Sequence, residues 1–163
     1  MKRTLMPALG LAATAVIAAG CGSNSSTSYG GAQTTKAKPA AAASAKVMTS
    51  KTSLGTIVVD GQGRTLYMFK KDRGGKSACS GACASAWPPD VTSGKPVAAG
   101  AISASKLGTT KRSDGTTQVT YAGWPMYTYA GDMAAGDTNG QNLDQFGAEW
   151  YVLGPSGKEV ESH

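Results

Sequence analysis

The chain has 163 residues, 40% of them hydrophobic and 16% charged, with a formal net charge of +6, which is enough apolar material for one core and too little for a polytopic membrane protein. Its one histidine is the terminal His163, so a Ser/His/Asp triad and multi-histidine metal sites are excluded from the interior. No Lys/Arg cluster is interleaved with aromatics, so the positive charge does not predict a nucleic-acid partner.

Lys2 and Arg3 precede an uncharged apolar stretch from Leu5 to Ala19 that ends in small residues. It is short for a membrane span and has the form of a secretory signal over residues 1–20. Ala18-Ala19-Gly20-Cys21 has the form of a lipobox, with alanine at the position where leucine is usual. Small side chains let a peptidase seat the backbone, and the Cys21 thiol can carry a thioether-linked diacylglycerol. Two long acyl chains such as palmitate, at ~0.8 kcal/mol per buried CH₂, give stable anchoring where one is marginal. The expected address is the outer face of the bacterial cytoplasmic membrane.

Residues 21–51 are rich in Ser, Thr, Ala, Gly and Lys, with Tyr29 as their only aromatic. Such a segment buries too little to offset its ordering entropy and predicts a disordered, lipidated stalk. Lys36, Lys38, Lys46 and Lys51 make it basic, suited to anionic head groups or acidic wall polymers.

Residues 52–160 contain a duplication. Thr56–Asp60 and a glycine turn lead into Gly63-Arg64-Thr65-Leu66-Tyr67-Met68-Phe69-Lys70-Lys71-Asp72. Sixty positions on, Thr117–Tyr121 leads into Gly123-Trp124-Pro125-Met126-Tyr127-Thr128-Tyr129-Ala130-Gly131-Asp132. Each copy continues through a polar, glycine-rich loop to a tryptophan, Trp87 or Trp150. This pattern predicts a mainly β domain of two repeated hairpin units, residues 52–113 and 114–160, packed as a sandwich or meander. A short helical turn is predicted near Ser80–Ala86. The two-residue period sends Tyr67 and Phe69 to one face and Leu66 and Met68 to the other, and Tyr127 and Tyr129 repeat the first pattern. Asp72 and Asp132, at the strand ends, are expected to cap turn N–H groups or accept a tyrosine hydroxyl.

Cys79 and Cys83 are the two thiols left once Cys21 is lipidated. In an exported protein they predict a disulfide, because residues four apart on a helical turn have Cα atoms about 6 Å apart. A ring of about five residues contributes only ~2 kcal/mol. Two other readings stay open: a redox-active dithiol, and a Cu(I) site in which a methionine assists the two thiolates. Zinc lacks four ligands. The loop Asp137–Asp144 fails the EF-hand register and reads as an Asx-rich turn.

The doubled Tyr-x-aromatic-x-x-Asp motif, the segment Ser77–Pro89 and the loop Gly136–Gln141 resemble the bacterial secreted-repeat lipoproteins, a family defined by that motif. The resemblance spans about residues 52–157. It implies an envelope address and a duplicated domain, and it carries no catalytic residue. Trp124 departs from the family, in which a small polar residue or histidine often follows the glycine.

Charge is unequal between the copies: residues 52–113 sum to +6 and residues 114–163 to −6. That split predicts attraction between the copies or a dipole that docks against a charged partner, with orientation gaining more than stability. The chain is therefore expected to be a lipid-anchored, non-catalytic envelope protein without cofactor, whose β domain binds a wall polymer or an envelope protein. The alternative is an exported thiol-redox or Cu(I)-binding protein using Cys79 and Cys83.

Overall fold

The computed structural model describes residues 43–161. Along the chain these form β1 (Lys46–Thr52), β2 (Gly55–Asp60), β3 (Tyr67–Phe69), α1 (Ala82–Ala86), β4 (Val97–Ala98), β5 (Leu107–Lys111), β6 (Thr117–Tyr121), β7 (Trp124–Pro125), β8 (Asp144–Gln145) and β9 (Ala148–Val152). The fold is mainly β, with the helical turn inside the predicted segment. The predicted signal segment, Cys21 and residues 21–42 of the predicted stalk lie outside the described residues.

Two corrections to the predicted boundaries follow. The stalk does not run to Lys51, because Lys46–Thr52 is β1 and pairs antiparallel with β2 from Val47↔Asp60 to Thr52↔Gly55. Of its seven residues only Val47 is fully buried, so the partner strand, not its own hydrophobicity, orders it. The second copy likewise begins before residue 114. Strand β5 pairs with β6 from Leu107↔Tyr121 to Lys111↔Thr117, as β1 pairs with β2. A boundary at 113/114 would cut this hairpin at its turn.

The copies do not stand as separate halves. Strand β3 of the first copy pairs with β9 of the second, Tyr67↔Val152 through Phe69↔Trp150. The motif segment of the second copy lies against the first copy's Pro89 through a bridge at Tyr127. Tyr67 and Tyr127 bridge directly at the centre. Each motif segment is thus flanked by the other motif and by the segment around the other copy's tryptophan, which is strand β9 for Trp150 and the end of α1 with Pro88-Pro89 for Trp87.

The predicted faces are observed. One core cluster holds Tyr67, Phe69, Trp87, Tyr127, Trp150 and Val152, and Tyr129 packs against it. The other holds Leu66, Met68, Val119, Tyr121, Met126 and Leu153. Because successive side chains alternate, one central layer feeds two cores.

Strands β8 and β9 meet at the turn Phe146-Gly147, with φ 61° and 87°. Positive φ at both positions is the hairpin geometry that Asn-Gly fills most easily. Here a phenylalanine takes the first position with 42% of its surface exposed.

Candidate functional site

The motif residues form a reciprocal latch. Tyr67 N–H donates to the Tyr127 carbonyl at 2.8 Å, and Tyr127 N–H returns to the Tyr67 carbonyl at 3.0 Å. The Tyr67 hydroxyl donates to Asp132 Oδ2 at 2.7 Å. The Tyr127 hydroxyl shares its proton between Ser77 Oγ at 2.7 Å and Asp72 Oδ2 at 2.9 Å. Each motif tyrosine therefore reaches the aspartate of the other motif. Both expected roles of the aspartates coexist, since Asp72 also accepts Ala78 N–H at 2.7 Å and Asp132 accepts Asn139 N–H at 2.9 Å.

Burial pushes both carboxyls above their ordinary value, against the loop N–H and tyrosine hydroxyl bonds that favour the charged form. Burial also pushes both tyrosines up, so they stay protonated and serve as donors. A group held so firmly in one protonation state is a poor proton shuttle.

Beside the latch the aromatics stack in mirrored order. Phe69 lies on Trp150 at 4.0 Å between centroids, Trp150 on Trp87 at 3.9 Å, and Trp87 on Tyr129 at 4.3 Å. Tyr67 meets Trp87 edge-on at 5.3 Å, and Tyr127 meets Trp150 edge-on at 5.1 Å. Gln145 serves both indoles: Trp87 Nε1 donates to its side-chain oxygen at 3.0 Å and Trp150 Nε1 to its carbonyl at 3.1 Å. These aromatics are core; of the four stacked rings only Tyr129 is half-buried.

Cys79 and Cys83 are joined as a disulfide with Cα atoms 5.3 Å apart. They are 1% and 7% exposed and pack in the aromatic cluster. Arg112, itself buried, crosses from the second hairpin to pin this loop. Its Nη2 donates to the Cys79 carbonyl at 2.7 Å, and its Nη1 reaches Ser77 Oγ at 2.8 Å and Gln118 Oε1 at 2.7 Å. In this state neither sulfur is a thiolate, the form that redox exchange and Cu(I) binding require.

One cleft stands apart from these contacts. A depression of about 500 Å³ is lined by Lys46, Asp60, Arg64, Pro89, Asp90 and Val91, among others. Asp60 is fully engaged: its Oδ1 accepts Gln62 and Arg64 N–H and its Oδ2 the Arg64 Nε at 2.7 Å. Asp90 differs, because its buried Oδ2 has no hydrogen-bond partner among the described residues. Burial and then neighbouring Asp60 push its carboxyl up to about 7, with Arg64 opposing. The second copy shows what the duplication would put there. Val119 N–H donates to the Asp90 carbonyl at 2.8 Å, as Val58 N–H donates to the Leu153 carbonyl at 2.9 Å. The equivalent of Asp90 is thus Leu153, buried in the second core.

A family described as a secreted repeat of unknown function matches residues 48–89 and again 108–153, together more than half of the chain. The chain belongs to this family. Each match spans an outer hairpin, a motif segment and the tryptophan that packs on it, so the secreted-repeat unit coincides with the repeated structural unit. Membership indicates a location outside the cytoplasm, in the envelope or beyond it. No helix among the described residues is long and apolar enough to cross a membrane. No curated protein and no solved structure matches the chain.

In this secreted-repeat protein the structure brings together Tyr67, Phe69, Asp72, Tyr127, Tyr129 and Asp132, with the disulfide beside them. Cys21, the predicted lipidation site, lies outside the described residues. Arg112 and Asp90 entered the sequence reading only as charges, and Gln145 not at all. The one signal for Asp90 was its place after Trp87-Pro88-Pro89, where the second copy has an apolar run.

Proposed function

We propose that this is a lipid-anchored, non-catalytic envelope protein that presents its β domain as a binding module, and that the Asp90 cleft is where the module takes its ligand. The lipobox at Cys21 and the secreted family support the address. The motif residues are committed to holding the copies together, which supports a binding role over a reaction centre. Asp90 carries the reading. A buried carboxyl oxygen without a partner costs about 1–3 kcal/mol, and it sits at a cleft where the duplicated template would supply leucine. A polar ligand that donates to this carboxyl offsets that cost on binding. Lys46 and Arg64 give the rim a positive side, and Pro88, Pro89 and Val91 an apolar one. This combination suits an anionic wall polymer, or a polar segment of another envelope protein.

The test is retention of the full chain, with Cys21→Ser to release it from lipid, on purified cell walls. Asp90→Leu should lower retention at least ten-fold at low salt while the tryptophan near-UV signal is unchanged. Equal retention of the wild type and Asp90→Leu removes the cleft as the binding site. Separately, the unaltered protein should partition into detergent and Cys21→Ala should not; equal partitioning removes the lipid anchor.

A further inference from the structure

The duplication exposes a second surface, independent of the cleft. In the first copy the outer edge of β1 is covered by β4, which runs parallel to it with Lys46↔Val97 and Val47↔Ala98. Val97 N–H donates to the Ala45 carbonyl at 2.8 Å and Ala99 N–H to the Val47 carbonyl at 2.9 Å. Gly100 follows so closely that a Cβ there would lie 2.9 Å from Thr49 Oγ1. The segment covering this edge is extended at Val97–Ala98 and carries only small residues from Ala98 to Gly100.

The equivalent strand in the second copy is β5. Thr109 faces Val119 as Thr49 faces Val58. The Lys106 carbonyl and Arg112 N–H are bonded to the β6 side, to Ala122 and Thr116. Alternation then turns the peptide groups of Leu107, Thr109 and Lys111 outward. Leu107 N–H closes a 3₁₀ turn on Ala104. The Leu107 carbonyl and both peptide groups of Thr109 and Lys111 have no partner among the described residues, because β5 ends its sheet in the order β5-β6-β7. A groove of about 350 Å³, lined by Ser93, Lys95, Pro96, Leu107, Thr109 and Thr117, borders this edge.

We propose that the outer edge of β5 accepts an extended, acidic, small-residue peptide strand from a partner protein, in the parallel manner in which β4 covers β1. The backbone supplies the affinity, as in other strand-addition modes. The charge supplies the choice of partner: Lys95 and Lys111 are exposed at the groove and along the edge, and Lys106 stands just before the strand. A second copy would bring the same lysines to face these, the repulsion by which edge strands avoid self-pairing.

The probe is a heptapeptide patterned on the β4 segment, residues 95–101, with its lysine and final alanine both replaced by glutamate. It is titrated into the full chain carrying Cys21→Ser, and amide shifts and hydrogen exchange are read by NMR. The acidic peptide should perturb the Thr109 and Lys111 amides, slow exchange at Thr109 at least ten-fold, and weaken as salt rises. Thr109→Pro removes an outward N–H while leaving the Gly108 and Thr110 bonds to β6, and should weaken binding at least ten-fold. Lys111→Glu should also weaken it, and gives a second variant should the proline disturb the hairpin. Three results overturn the proposal: no perturbation at millimolar peptide, perturbation confined to the Asp90 cleft, or concentration-dependent protection of Thr109 without peptide, which would make a second copy the occupant.

Discussion

Tyr67 and Tyr127 exchange both of their main-chain hydrogen bonds, and each sends its hydroxyl to the aspartate of the other's motif. The repeated sequence thus encodes a mutual contact, and the tyrosine and aspartate within one motif are not each other's partners.

That crossing makes a specific prediction. A hydrogen bond to a charged group is worth about 1.5–3 kcal/mol, and residues in contact couple when both are changed. A double-mutant cycle of Tyr67→Phe with Asp132→Asn should show a coupling energy of about 1–2 kcal/mol in urea unfolding. The cycle of Tyr67→Phe with Asp72→Asn should be additive. Coupling within a single motif instead would contradict the latch.

The Cys79–Cys83 ring is small, so its loss should be mild. Cys79→Ala with Cys83→Ala should cost about 2 kcal/mol of stability and leave the wall retention unchanged. Burial of both sulfurs should also keep them unreactive in the native protein. Rapid reduction by a mild thiol, or stoichiometric Cu(I) uptake by the native reduced protein, would revive the redox and copper readings.

Asp90 should tie stability to pH with a definite sign. Its folded carboxyl sits at about 7, above the ordinary carboxylate value, so the folded state holds the proton more tightly than the unfolded chain. The cost of its charge is absent below about pH 4, grows as pH rises, and is complete above about pH 7. Asp72 and Asp132 are shifted in the same direction, so the difference between wild type and variant is the informative quantity. Asp90→Asn should gain up to about 4 kcal/mol on wild type between pH 4 and pH 8. A difference independent of pH would show that the carboxyl titrates normally.

Phe146 stands at a hairpin position with φ 61° that suits asparagine far better than a bulky aromatic. Phe146→Asn should raise stability by about 0.5–1 kcal/mol, because relief of the backbone strain outweighs loss of a ring that is 42% exposed. A loss of stability would mean that the ring packs more tightly than its exposure suggests.

The centre of the fold was legible because its strands are short, aromatic and strictly alternating; Tyr67/Phe69 against Leu66/Met68 foretold two opposite faces, and in the structure each face enters its own core. The tyrosine–aspartate chemistry was legible as well, but its crossed pairing was not, since both motifs offer the same groups and only topology selects between them. Strands β1 and β5 escaped because Lys-Val-Met-Thr-Ser-Lys-Thr and Leu-Gly-Thr-Thr-Lys carry little apolar periodicity and are ordered by their neighbours. Arg112 escaped because a buried arginine looks like any other charge until its partners Ser77, Gln118 and the Cys79 carbonyl are placed.

The crossed pairing has a consequence for descent. A solitary unit would leave its tyrosine hydroxyl without its carboxylate acceptor and its aspartate with only its own loop N–H, so a one-copy ancestor would complete these bonds only as a symmetric pair of chains. Joining two genes end to end would have made that partnership independent of concentration. It would also free each half to change alone, and Asp90 opposite Leu153, like the β5 edge that no described residue covers opposite the covered edge of β1, is a difference of the kind such freedom allows.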